Sequence, residues 1–475
     1  MAELVTPDIC VIGAGSGGLS VAAAAAAFGV GVVLIEKGEM GGDCLNFGCV
    51  PSKALLAAAR QAQTLRQGAA FGIADVEPTV DFAAVARHVE ATIAEIAPND
   101  SAARFTALGV QVMRAEACFV DRRTVAAGDR LIRARRFVIA TGSAPRIPPI
   151  PGLAQVAFLT NETIFALRKR PAHLLVIGAG PVGLELAQAF RRLGSEVTVI
   201  EAARPLATAD PEAAAVVTGA LAREGVRLLA PATVVEARKQ GRSGVRLLVE
   251  TAGREHRLDG SHLLVAAGRR PNVEGLGLDV AGIAYDEKGI AVGNRLRTTN
   301  RRVYAVGDVA GGPQFTHVAG YHASLVVRAL LFRLPIRVDP TIIPRVTFTD
   351  PELAEIGSSE AEAEARGILA HVLRWPFSEN DRARTERRTE GHIKVLADRR
   401  GRILGASIVG SGAGEMIGLW GLAIGQRLTL KDMAGWLPAY PTTGEIGRRA
   451  AIAYFAPMTL KASVRRLVRL LSRFG

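Results

Sequence analysis

A short pattern occurs twice in this chain, VIGAGSGGL at Val11 to Leu19 and VIGAGPVGL at Val176 to Leu184, and no other feature restricts the fold as much. Each copy follows an apolar run and opens a helical stretch, the strand-turn-helix order of a Rossmann phosphate loop. One glycine makes the turn, one admits a pyrophosphate and one lets helix pack on strand. These are Gly13, Gly15 and Gly18 in the first copy and Gly178, Gly180 and Gly183 in the second. A single GxGxxG is poor evidence. Here each copy also ends its next apolar strand in an acid, Glu36 after VVLI and Glu201 after VTVI, where the ribose hydroxyls of an adenine dinucleotide need an acceptor. The separation is the same for both features, 178 minus 13 and 201 minus 36. The expected fold is therefore α/β, with two dinucleotide-binding Rossmann-like domains and an electron path between two cofactors.

Just downstream of the first copy, GGDCLNFGCVPSK places Cys44 and Cys49 beside that nucleotide site. The spacing alone is weak, and zinc sites prefer closer pairs with further ligands, so no metal site is expected. The context is stronger. Met40 to Gly42 and Gly48 allow a tight backbone, Pro51 suits a first helical turn, and Lys53 to Arg60 reads as helix. Cys49 then sits near the positive end of a helix dipole, which lowers a thiol pKa and favours the reactive thiolate. Cys10 and Cys118 fall in strands and are expected to be inert core residues.

The segment GGDCLNFGCVPSK resembles the redox-active disulfide motif of the FAD-dependent pyridine nucleotide-disulfide oxidoreductases, which include dihydrolipoamide dehydrogenases, glutathione reductases and mercuric reductases. With the two glycine loops, the resemblance covers nearly the whole chain. It implies FAD at the first loop and a nicotinamide dinucleotide at the second. VYAVGDV at Val303 to Val309 resembles the family's second FAD motif, whose aspartate is Asp308 here. The ATGS run, with Thr141, Gly142 and Ser143, resembles the connection leaving the FAD domain, and Gly268 is a further cofactor-side candidate. In the family the sulfur matching Cys49 faces the flavin and the one matching Cys44 exchanges with substrate. Lys53 matches the lysine near the flavin, and Glu185 its ion-pair partner. At the second loop, Glu201 accepts from a free 2'-hydroxyl and repels a 2'-phosphate, so NAD(H) is expected over NADP(H), with Arg204 the one nearby cation that could reverse this.

The chain departs from the family where substrate is handled. Disulfide reductases carry an HPTxxE motif whose histidine, donated by the partner subunit, moves a proton to the exchange thiol; here Tyr440 to Glu445 reads YPTTGE. Glu445 remains, but a phenol with an unperturbed pKa of about 10 is a poor base at neutral pH, so ordinary disulfide turnover should be weaker. Tyrosine at this position also resembles mercuric reductases. Those enzymes carry a C-terminal cysteine pair to deliver mercury, and here Cys118 is the last cysteine, which places mercury reduction second.

The domain plan is FAD-binding over residues 1–150, NAD(P)-binding over 151–271, a return to the FAD side over 272–338, and a dimerisation domain over 339–475. Within the last part TFTDPELAEIG, GHIKVLAD and RILGASIVG read as strands followed by helices. His317 and His322 are read as structural. The end of the chain is a third clue. Leu460, Val464, Leu467, Val468 and Leu471 recur at helical spacing, while Lys461, Arg465, Arg466, Arg469 and Arg473 carry charge with no acid among them. A basic amphipathic helix suits an anionic membrane surface, or else docks on a dimer with its charges in water. The net charge of +13 is spread along a chain with only 5% aromatics and no nucleic-acid motif, so no nucleic-acid partner is expected. Neither a secretory signal nor a membrane span is read, and the expected setting is the cytoplasm, with possible contact at the inner membrane face. The first reading is a homodimeric flavoenzyme passing electrons between NAD(P)H and a small dithiol or disulfide. The alternatives are Hg(II) reduction, a membrane-associated NADH:quinone reductase or diaphorase, and a redox-regulated binding protein.

Overall fold

A computed structural model describes residues 3–241 and 244–474. Four short apolar runs, Ile9–Ile12, Val32–Glu36, Arg136–Ile139 and Val303–Ala305, form most of a five-stranded sheet completed by Gln111–Arg114. All its neighbours pair in parallel, with Ile9 opposite both Val32 and Arg136. The strands are apolar at consecutive positions because both faces are covered, as parallel sheets require. The Ser16–Ala27 and Thr316–Phe332 helices pack together on one face, and a small sheet built from Ala117–Phe119, Val125–Ala127 and Arg130–Ile132 lies toward the other.

The second glycine loop belongs to a four-stranded parallel sheet in the order Arg227–Leu229, Glu196–Ile200, His173–Ile177 and His262–Val265. A three-stranded antiparallel sheet, Thr233–Gln240, Gly244–Thr251 and Arg254–Gly260, packs beside it. The chain then returns to the first sheet through Val303–Ala305.

From Arg345 onward a five-stranded antiparallel sheet forms. Its strands include Glu352–Gly357, His392–Ala397 and Ile403–Gly410, with His371–Pro376, which the sequence reading did not identify, at the edge. The Ala413–Gly425 and Glu445–Ala453 helices cover it around the buried Trp420. Lys394, only 2% exposed, ties this region to the part holding the second sheet through Asp210 and Glu212, each at 2.7 Å, and also meets Glu360 of its own region at 3.0 Å. A buried cation with three carboxylates within hydrogen-bonding distance is compensated, so the contact fixes orientation between the two parts.

The basic tail forms two helical pieces, Ala456–Leu460 and Ala462–Leu471, broken at Lys461 where ψ is 124°. Nearly every residue of both is exposed, Leu467, Val468 and Leu471 included. No described helix is long and apolar enough to cross a membrane.

Candidate active site

The two phosphate loops have the same construction. Gly13 and Gly178 adopt φ of +103° and +108°, and a Cβ on either would lie 2.4 Å from a backbone carbonyl oxygen, Ala140 O or Ala266 O. A Cβ at Gly18 or Gly183 would lie 1.8 or 2.0 Å from the oxygen of the first glycine, so these two keep the helix against the turn. The middle glycines differ. A Cβ at Gly15 would meet only Gly42 Cα at 3.8 Å, and one at Gly180 nothing within 4 Å. What those two keep clear lies outside the protein, at helix N-termini, which is where a pyrophosphate binds. Glu36 accepts from Ala14 N at 2.5 Å and Gly38 N at 2.7 Å, and Glu201 from Ala179 N at 2.8 Å and Ala203 N at 2.9 Å. Each carboxylate has lone pairs left for ribose hydroxyls. The residues therefore fit two dinucleotides.

Cys44 lies in a short helical turn, Gly42–Asn46. Asn46 Nδ2 donates to Met40 O at 3.0 Å and Gly42 O at 2.9 Å and closes the turn. Gly41 and Gly42 have φ of +86° and +62°. Gly48 does not take a left-handed conformation; its role is clearance, because a Cβ there would sit 3.0 Å from Asp43. Cys49 is the first residue of the Cys49–Leu65 helix, and its side chain reaches solvent. Its thiol is lowered to about 6, chiefly by a hydrogen bond from Cys44, then by Thr316 and the nearby charge of Lys53 acting against burial. Cys44 is raised by the same pairing and by burial. The reduced pair thus holds its negative charge on Cys49 and its proton on Cys44. Cys10 is a buried thiol, raised by desolvation, whereas Cys118 is only half-buried, not in the core.

One turn along the same helix, Lys53 Nζ meets Glu185 Oε2 at 2.7 Å across 132 residues of chain. The other carboxylate oxygen accepts from Phe348 N at 2.9 Å, and the Phe348 ring lies 4.4 Å below Nζ. The ammonium is thereby fixed beside the dithiol. Asp308 Oδ2 accepts from Ser143 Oγ at 2.5 Å, and burial raises its carboxyl above the usual range. Ser143–Pro145 pairs with Arg269–Pro271, flanked by Thr141 Oγ1 donating to Asn272 O at 2.8 Å, Asn272 N donating to Gly142 O at 3.0 Å and Arg146 N donating to Gly268 O at 2.9 Å.

Two residues in this site escaped the sequence reading. Thr316 Oγ1 lies 3.2 Å from Cys49 Sγ, and Arg269 donates to Ser143 Oγ at 2.7 Å while reaching Asp43 at 3.3 Å. Arg269 adjoins Gly268, a local signal. Thr316 had none, since it reaches the thiol from 267 positions away.

Tyr440 and Glu445 stand apart from this cluster. Tyr440 is 70% exposed and donates to Asp381 Oδ2 at 3.1 Å, which with the carboxylate charge raises the phenol pKa further. Glu445 pairs with Arg449 at 2.9 Å instead of with residue 440. His322 accepts from Gly307 N at 3.3 Å and His317 bonds Pro344 O at 2.8 Å, both structural contacts.

The profile of the pyridine nucleotide-disulphide oxidoreductases matches residues 7–323, and that of the family's dimerisation domain matches 343–451. A mercuric reductase of Streptomyces lividans is 37% identical, covering 94% of this chain and 95% of its own length. A dihydrolipoyl dehydrogenase of Geobacillus stearothermophilus is 34% identical, covering 94% and 96%. Among solved structures, LpdA of Mycobacterium tuberculosis superposes with a TM-score of 0.86 at 27% identity, covering 95% and 100%. The HOCl-induced flavoprotein disulfide reductase RclA of Escherichia coli gives 0.83 at 27%, covering 94% and 99%. Two dinucleotide loops, a dithiol between them and a dimerisation domain agree with these matches, and the chain belongs to the pyridine nucleotide-disulphide oxidoreductases, FAD-dependent enzymes that use NAD(P)H.

Proposed function

We propose that this enzyme moves two electrons between NAD(H) and a small dithiol or disulfide through Cys44 and Cys49, as a dihydrolipoamide dehydrogenase-like homodimer with the four-part domain division read from the sequence. The observation that carries it is the polarised cysteine pair, a thiolate-prone Cys49 held between Lys53 and Thr316 with Cys44 as the protonated partner. Bound FAD supplies the relay between nicotinamide and sulfur. Lys53, Glu185, Ser143 and Asp308 would hold it on the dithiol side. In the reducing direction NADH and a proton become NAD+ as the Cys44–Cys49 disulfide bond is broken to the dithiol; Cys44 then attacks the substrate disulfide, passing its proton to the substrate sulfur that leaves as a thiol, and Cys49 displaces the second while the Cys44–Cys49 bond re-forms.

NAD over NADP is supported by Glu201 and by the position of Arg204, whose guanidinium donates to Ala207 O at 2.8 Å and Ala209 O at 2.9 Å and so is held by its own loop. Tyr440, with its raised pKa, is a weak proton shuttle. A panel of NADH oxidation against lipoamide, small disulfides, Hg(II) and quinones, in wild type and Tyr440→His, tests the reading. Lipoamide turnover that rises in the variant supports it; no activity with any disulfide in either protein overturns it. Reduction of Hg(II) is the second reading, supported by the relatives named mercuric reductase and by the tyrosine.

The tail supports cytoplasmic work at an anionic membrane surface. Val464, Leu467, Val468 and Leu471 follow i, i+3, i+4, i+7 spacing, opposite Arg465, Arg466 and Arg469 of the same helix, each cation worth roughly 1 kcal/mol near such a surface. Removing residues 458–475 should abolish co-flotation with anionic vesicles, and unchanged flotation rejects the membrane reading.

A further inference from the structure

The first glycine loop lies where the Ile9–Ile12 strand of the first sheet finishes, and the dithiol packs beside that loop. At the opposite end, where Ile9–Ile12 and Arg136–Ile139 begin, a cavity of about 680 Å³ opens between the C-termini of the Ser16–Ala27 and Thr316–Phe332 helices. Four residues of strand separate it from the first loop by about 13 Å, so it is a different site.

Its walls carry Arg135, Arg136, Arg295, Arg297 and Arg333, and Asp8 is the single carboxylate on them. Asp8 is engaged by Arg135 at 2.8 Å. Among the described residues no carboxylate lies within 4.0 Å of the other four guanidiniums. The two helix C-termini add about half a negative charge each, which leaves roughly three positive charges uncompensated. Burial, then the charges of Arg302, Arg333 and Arg135, hold the Arg136 guanidinium below its usual pKa despite the neighbouring Tyr304. Such crowding of like charge works against the folded state. A bound polyanion would relieve it.

The remaining wall is apolar and aromatic. Tyr304 is buried within it, and Phe28 and Phe332, 62% and 51% exposed, meet edge to face at 5.2 Å. Guanidinium forks match phosphate oxygens two at a time, and exposed aromatic rings beside them suit a flat heterocycle. We propose that this cavity binds a nucleoside polyphosphate, with its phosphates on the arginine cluster and its base against the Phe28 and Phe332 wall.

The test is calorimetric titration of the FAD-loaded enzyme with ATP, in saturating NAD+ so that the second glycine loop is filled. ATP should bind saturably, tripolyphosphate more weakly, and Arg136→Ala with Arg297→Ala should weaken ATP at least about tenfold while flavin absorbance and NADH turnover stay as in wild type. If that double variant loses flavin, Arg295→Glu, on an exposed side chain, replaces it with the same expected loss of ATP binding. Absence of saturable ATP binding, or equal ATP affinity in wild type and arginine variants, overturns the site. Equal affinity for tripolyphosphate and ATP overturns the assignment of a nucleoside.

Discussion

In the first glycine loop Glu36 accepts from Ala14 and Gly38, and in the second Glu201 accepts from Ala179 and Ala203, so the two acids are anchored by corresponding backbone groups. The first glycines share their left-handed φ and the third glycines their close approach. The copies part company only beyond the loops. The first leads into the turn bearing Cys44 and the helix bearing Cys49, whereas the helix opened by the second sends Glu185 across to Lys53. The loop therefore specifies that a dinucleotide binds, and its flanks specify what that dinucleotide reacts with.

Valine at the third glycine of each copy puts this contrast at greatest risk. Gly18→Val is expected to yield protein without flavin absorbance and without turnover. Gly183→Val should keep its flavin and remain reducible by dithionite while losing reduction by NADH by about a hundredfold or more. Loss of flavin from the second variant alone would reverse the assignment of the loops. Next in size, Cys49→Ser should remove disulfide turnover by at least about a hundredfold yet leave reduction of the flavin by NADH intact, measured by stopped-flow absorbance.

A smaller effect separates the two acids. Glu201→Ala should raise KM for NADH about tenfold with little change in kcat, as loss of a charge-assisted contact to a bound hydroxyl implies. Glu36→Ala should instead weaken retention of flavin on dilution. Equal effects of both on KM would mean that the loops are not divided as described.

The smallest effect concerns pH. Cys49 is lowered from an ordinary value of 9.0 to about 6, so its thiolate persists through neutrality and is lost as pH falls through about 6. The long-wavelength absorbance of reduced enzyme should titrate with that midpoint. Thr316→Val and Lys53→Met should each move it upward, because a hydrogen bond or a positive charge on the thiolate has gone. An unchanged midpoint in both variants would remove them from the account of the thiol.

The expected α/β architecture and family were legible because their signals are local and repeated. Glycines at fixed offsets, an acid at a strand end and two cysteines in one short segment each sit within a few residues of the structure they make. The short helical turn around Cys44 was not legible, since it depends on side-chain bonds from Asn46 to two carbonyls. The strand His371–Pro376 was missed because its residues are half-buried on both faces apart from the exposed Arg374, without alternation. The partners of the YPTTGE residues were not legible either, since Arg449, one helical turn on, takes the Glu445 carboxylate and Asp381 takes the phenol.

Sequence alone determined that this protein holds two dinucleotides beside a dithiol, because steric demands on a glycine turn and the reach of an acid at a strand end act over a few bonds. That Cys49 is the reactive thiolate was also legible, from its place at a helix start; only the tertiary structure decided what holds the charge there. Cys44 donates to it, Thr316 approaches from a distant helix and Glu185 holds Lys53 across 132 residues of chain, and such electrostatic contacts are set by distances in space rather than along the chain.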